Sequence, residues 1–208
     1  MKKRLNFNNG FLNFATIVCL MYVLFMILNL AVGAIVSHNF DASALNILSL
    51  VVDIFFYCLV AFYFYRTKGG VSGSALYAML SLAICTYLLP TILTLIEGIA
   101  HGDLYRIIPI FSSLGVGIAY SIILIINSRN LKKGLMIAMF VLGIILFGLA
   151  FYQFFVENGS VVEAIGNALL NSRIDLFFQY LITFIYNFFS FGFAIIFMLY
   201  PVYAMKSY

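Results

Sequence analysis

The stretch LNILSLVVDIFFYCLVAFYFYRTKGG, residues 45–70, is apolar almost throughout and closes on a basic, glycine-containing turn, yet it carries a carboxylate at Asp53. An uncharged run of about twenty residues is long enough to cross a hydrocarbon core of roughly 30 Å as a helix, in which every backbone polar group is satisfied internally. Runs of the same character recur at 11–37, 75–98, 107–127, 134–156 and 176–204, so with 45–65 the chain is predicted to form six transmembrane helices. The expected fold class is an all-α membrane bundle, a single polytopic domain over 1–208. Composition excludes a soluble core: 65% of residues are apolar and 9% charged, and the mean hydropathy is +1.12, far outside the range of water-soluble domains.

The first run follows Met1-Lys2-Lys3-Arg4, a basic start that also suits a signal peptide, and small residues AVGA stand at 31–34. Its apolar part is longer than the about 7–15 residues of a signal-peptide core, so it is read as a retained helix. Basic residues then orient the bundle, because short cytoplasmic loops carry the Lys and Arg excess. With both termini cytoplasmic, nine basic residues fall inside (Lys2, Lys3, Arg4, Arg66, Lys68, Arg129, Lys132, Lys133, Lys206) and two, Arg106 and Arg173, outside. The acidic residues divide the other way: Asp41, Asp103, Glu157, Glu163 and Asp175 lie by outer segments, and Asp53 and Glu97 within helices. The net charge of +4 is therefore a topology signal, and no nucleic-acid partner is expected. The absence of Trp and the heavy use of Phe, Ile, Asn and Lys suggest an AT-rich bacterial genome and a single plasma membrane.

Nothing in the chain has the spacing of a catalytic motif, so no enzyme activity and no cofactor are expected. Cys19, Cys58 and Cys85 stand alone in apolar runs and read as packing residues, while His38 and His101 fall at the outer boundary; no metal site is expected. Segment 157–175 is the largest connection, and Val162, Ile165 and Leu169 at helical spacing make it an outer interfacial helix or a plain surface turn. The sequon Asn158-Gly159-Ser160 lies in it.

Polar residues are arranged in stripes. Asn46, Ser49, Asp53 and Tyr57 share one face of the second run; Tyr87, Thr91, Thr94, Glu97 and His101 one face of the third. Asp175, Gln179, Thr183, Asn187 and Ser190 line the sixth, and Arg106, Ser113, Gly117 and Ser121 form a looser set on the fourth. Asp53 is about eight residues from the outer end of its run, roughly 12 Å deep at 1.5 Å per residue. An ionised carboxylate at such depth must be paired, protonated or hydrated, and so must face the protein interior or water.

These constraints define an expected outward-facing cleft with Asp53 at its floor. Asn46, Ser49, Tyr57, Thr94, Glu97 and Gln179 are the accompanying ligand-binding candidates, with Arg106 and Asp175 at the mouth. The competing structural reading makes the polar residues interhelical ties worth about 0.6–2 kcal/mol each, with Asp53 paired to Arg106. The expected function is transport, by a transporter or transport-complex subunit that binds a cation or small polar solute. The alternative is a non-transporting interaction protein, an accessory or immunity factor, acting on a membrane partner or a second copy through the 23 Phe and 14 Tyr of its helix surfaces. The lipid bilayer is a partner in either case.

Overall fold

The computed structural model describes residues 8–37, 44–68, 74–89, 92, 107–129 and 132–206, and is almost wholly helical, with no strand among the described residues. The helices are α1 (Asn9–Ser37), α2 (Ala44–Thr67), α3 (Ser74–Ala83), α4 (Ile107–Arg129), α5 (Lys133–Leu170) and α6 (Ile174–Lys206). A π-helical turn, Ile84–Leu88, continues α3. Among the described residues four helices are long and apolar enough to cross a membrane: Asn9–Val36, Leu50–Thr67, Lys133–Leu170 and Ile174–Met205. Two shorter apolar helices, Ser74–Leu88 and Leu114–Asn127, stand where the third and fourth runs are predicted. Residues 90, 91 and 93–98 of the third run lie outside the described residues.

Helix ends are closed by local chemistry. Asn8 caps α1, its Oδ1 accepting from the Gly10 N–H at 2.8 Å. The Thr67 and Ser74 hydroxyls meet at 2.6 Å and tie the end of α2 to the start of α3. Asn127 Oδ1 accepts from the Lys132 N–H at 3.3 Å, joining α4 to the start of α5. Short connections of this kind place consecutive helices side by side, and the principal contacts run α1–α2–α3–α4–α5–α6 and back to α1, a closed ring. The α5–α6 pair packs most extensively.

Complete burial is concentrated at one end of the ring. It covers Phe11, Leu12, Ala15 and Cys19 near the start of α1, Val60 and Phe64 near the end of α2, Ala78 and Met79 early in α3, and Leu124 late in α4. Met139 on α5 and Phe193, Ile196 and Phe197 on α6 complete the same level. Toward the opposite end, no described residue of α1 beyond Met26 is fully buried, and of the described α5 side chains beyond Leu146 only Asn158 and Ala168 are buried. Large apolar side chains such as Phe55, Tyr65 and Phe155 remain exposed on the outside, as lipid contact requires.

Two glycines set close helix approaches. A Cβ at Gly143 would stand 2.8 Å from the Met198 Cα and 2.9 Å from the Phe197 carbonyl oxygen, so α5 lies directly against the α6 backbone there. A Cβ at Gly117 would meet Tyr87 Cβ and Cγ at 2.8 Å, whereas Gly115 has nothing within 4 Å. Of the two glycines in FSSLGVGIAYS, one therefore makes a close packing contact.

The structure departs from the sequence reading at 157–175. The fifth helix does not stop at residue 156 but continues unbroken to Leu170, 38 residues in all. One helical Gly costs only about 1 kcal/mol relative to Ala, and the polar side chain of Asn158 is satisfied within the helix pair: its Nδ2 donates to the Phe154 carbonyl at 2.8 Å and its Oδ1 accepts from Asn187 Nδ2 at 3.1 Å. The true stop is a Schellman motif. Ser172 adopts φ 55, its N–H donates to the Leu169 carbonyl at 3.1 Å, and the Arg173 N–H donates to the Ala168 carbonyl at 2.9 Å. A side chain in this left-handed conformation costs about 1–2 kcal/mol. Ser172→Gly is therefore expected to raise the melting midpoint of the detergent-solubilised protein slightly; a fall would show that the serine hydroxyl contributes more than the strain costs.

Candidate functional site

Asp53 lies on α2 at the level where complete burial gives way to partial burial. Tyr57, one turn nearer the packed end, is buried, and Asp53 itself is partly buried. The Tyr57 ring stacks on Phe193 of α6 with centroids 5.1 Å apart and 10° between planes, and tilts against Tyr22 of α1 at 4.7 Å. Tyr22 in turn stacks on Tyr186 of α6 at 4.9 Å, and the two hydroxyls share a hydrogen bond of 2.7 Å. Three helices thus deliver tyrosines to one aromatic cluster, in which the hydroxyls of Tyr22 and Tyr186 satisfy each other inside an otherwise apolar packing.

The π turn forms the next part of this site. The Leu89 N–H bonds to the Ile84 carbonyl, five residues back rather than four, which widens the helix beside α2 and α4. Thr86 adjoins the Tyr57 hydroxyl, but no hydrogen bond of acceptable geometry reaches its buried Oγ1, so the two are neighbours rather than a bonded pair. Asp53 is the acidic group whose field reaches this part of the bundle, at Cys85 most of all. Hydroxyl-bearing residues of α1, α2, α6 and the π turn of α3 are thus brought together, with Tyr57 one helical turn from Asp53.

Farther from the packed end, the α6 stripe is divided between two neighbours. Thr183 Oγ1 lies 2.8 Å from Asn29 Oδ1 of α1 and 2.9 Å from the Gln179 carbonyl, and its one hydroxyl hydrogen serves one of these acceptors at a time. Asn187 instead donates to Asn158 of α5. Both are interhelical ties. Gln179 is partly buried, one turn nearer the start of α6. Asp175 is exposed and receives both Arg173 Nε at 3.1 Å and Nη2 at 2.9 Å, a bidentate pair at the α5–α6 turn. These hydrogen bonds hold the Arg173 guanidinium above its usual range.

Of the sequence-predicted residues, Asp53 and Tyr57 stand together at the centre of this set, and Asp175 is engaged in its local ion pair. Asn46 and Ser49 lie in the first turns of α2, with side chains outside the described residues, as are Thr94, Glu97 and Arg106 altogether. The relation of Asp53 to Arg106 therefore falls outside the described structure. Tyr22, Asn29 and Tyr186 enter the polar framework without having been singled out, and Asn158, noted only as part of a sequon, enters it as an interhelical tie. Tyr22 and Asn29 did leave a signal, seven residues apart and hence on one face of α1, and Pro90 announces the disturbed helix at Thr86.

Among the described residues no group of three or more His, Cys, Asp or Glu could hold a metal ion. The oxygen groups present are one carboxylate, several hydroxyls and the carbonyls of a distorted helix. Such groups bind and orient a hard cation or a hydrogen-bonding solute. No protein-family model, curated protein or solved structure matches the chain.

Proposed function

We propose that this chain is a six-span plasma-membrane transport protein, or the binding subunit of a transport complex, that takes a cation or small polar solute at Asp53 from the outer side. One observation carries the reading: the carboxylate stands on α2 one turn from Tyr57, whose hydroxyl adjoins a threonine without a hydrogen-bond partner, at the level where the tightly packed half of the ring ends. A charge retained at such a position is costly and is characteristic of binding sites and ion pathways. The basic residues assign the packed end to the cytoplasm, so the less buried end opens outward.

A second reading rests on a different observation. At about 1.5 Å per residue, the 38 residues of α5 extend roughly 57 Å, nearly twice a hydrocarbon core. The hairpin they form with α6 carries the exposed apolar residues Val162, Leu169, Leu170 and Ile174 near its tip. An accessory or immunity protein would use such a projection against a membrane partner.

Cysteine accessibility tests the orientation on which the transport reading depends. In a background lacking the native cysteines, Ser43→Cys, Gly102→Cys and Ser160→Cys are expected to react with an impermeant maleimide from outside intact cells, and Ser72→Cys only after permeabilisation. Asp53→Cys should also react from outside, more slowly. Labelling of Ser72→Cys alone would invert the bundle, and an Asp53→Cys that reacts only from the inner side would remove the outward cleft.

A further inference from the structure

We propose that the π turn of α3 is a sodium-ion site, formed by the Cys85 carbonyl and the Thr86 hydroxyl, with the Tyr57 hydroxyl beside them and Asp53 supplying the compensating charge. The inference deepens the transport reading and rests on it for the role of Asp53.

Backbone accounting identifies the first ligand. In a helix the Cys85 carbonyl would receive the N–H of residue 89 in an α pattern or of residue 90 in a π pattern. The Leu89 N–H is committed to Ile84, and residue 90 is proline, which has no N–H. Neither donor is left for Cys85. In a membrane interior a carbonyl deprived in this way needs a substitute partner, and a cation serves as well as a donor. Thr86 supplies the second group, because its Oγ1 is buried and has no hydrogen-bond partner. Cys85 and Thr86 are consecutive, so their oxygens belong to the same turn. Across from them on α2, Tyr57 adjoins Thr86 and Asp53 is within electrostatic reach of Cys85.

The donor set decides the ion class. Carbonyl, hydroxyl and carboxylate oxygens are hard ligands, suited to alkali and alkaline-earth ions rather than to thiophilic metals. One carboxylate, Asp53, balances one positive charge, which favours a monovalent ion over calcium or magnesium. Sodium is the monovalent ion that discontinuous membrane helices coordinate through freed carbonyls.

The test uses the full-length protein in detergent, with radioactive 22Na+ as the probe and choline chloride holding ionic strength constant. Wild type should bind sodium saturably, with potassium a weak competitor. Thr86→Val, which keeps the shape and removes the oxygen, should lower sodium affinity on the order of tenfold, while Thr86→Ser should restore it. Pro90→Ala returns an N–H to the turn and should also weaken binding; it carries the test alone if Thr86→Val does not fold. Absence of saturable sodium binding in wild type, or binding by Thr86→Val and Pro90→Ala equal to wild type, overturns the site. Solute uptake that requires Asp53 but is indifferent to sodium overturns the sodium site and leaves the transport reading standing. Thr86-dependent sodium binding in a protein whose uptake survives Asp53→Asn does the reverse.

Discussion

Asp53→Asn is expected to abolish ligand binding and uptake in reconstituted vesicles while leaving expression, monodispersity and helix content close to wild type. The amide keeps the shape and an oxygen acceptor but removes the charge. A bound cation would then sit in a low-dielectric interior without compensation, a loss of about 3–5 kcal/mol when one member of a buried charge pair is removed, or at least on the order of a hundredfold in affinity. Folding should survive, because Asp53 is only partly buried and the packing beneath it is made by Tyr57, Val60 and Phe64. Uptake or equilibrium binding of a panel of alkali cations and small polar solutes is the measurement. Retained uptake by correctly inserted Asp53→Asn protein would eliminate the role assigned to this carboxylate and shift weight to the α5–α6 hairpin, where Leu169→Ser with Leu170→Ser should then be the damaging change.

Gly143→Val is expected to be the most destabilising single substitution considered. Even the first added carbon would meet Met198 Cα at 2.8 Å and the Phe197 carbonyl at 2.9 Å, and backbone cannot swing aside as a side chain can. The two helices must separate, and overpacking of this sort costs about 1–3 kcal/mol or more. The shift would spread, because Phe197 also packs its ring against Tyr120 and Tyr87 at 5.2 Å each, and its carbonyl accepts the Tyr120 hydroxyl at 2.8 Å. A fall of several degrees or more in the melting midpoint in detergent is the readout. Gly115→Ala, which meets nothing within 4 Å, is the control and should melt as wild type. Equal behaviour of the two variants would mean that α5 and α6 do not approach at Gly143 as described.

Much of the architecture was legible because hydropathy and charge act segment by segment. Among the described residues four runs of apolar residues are helices of membrane-crossing length, and two further runs contain shorter apolar helices. The reading of 157–175 as a separate segment went wrong for an identifiable reason: Glu157-Asn158-Gly159-Ser160 has the composition of a break, but a helix ends where its backbone is capped, and the cap lies at Ser172. Within the continuing helix the Asn158 amide is satisfied in part by Asn187, on the partner helix.

The sequence by itself determined which residues share a face, since helical periodicity is a property of one segment: Asp53 and Tyr57 had to lie on one side of α2, and Gln179, Thr183 and Asn187 on one side of α6. Only the tertiary structure decided what those faces meet. It turned Thr183 toward Asn29 and Asn187 toward Asn158, set Tyr22 and Tyr186 hydroxyl to hydroxyl, and brought the π turn with its unpaired Thr86 beside Tyr57. Periodicity carries no information about the neighbour, because the order and rotation of packed helices follow from side-chain volumes and close approaches such as Gly143 against Met198, which depend on two segments at once.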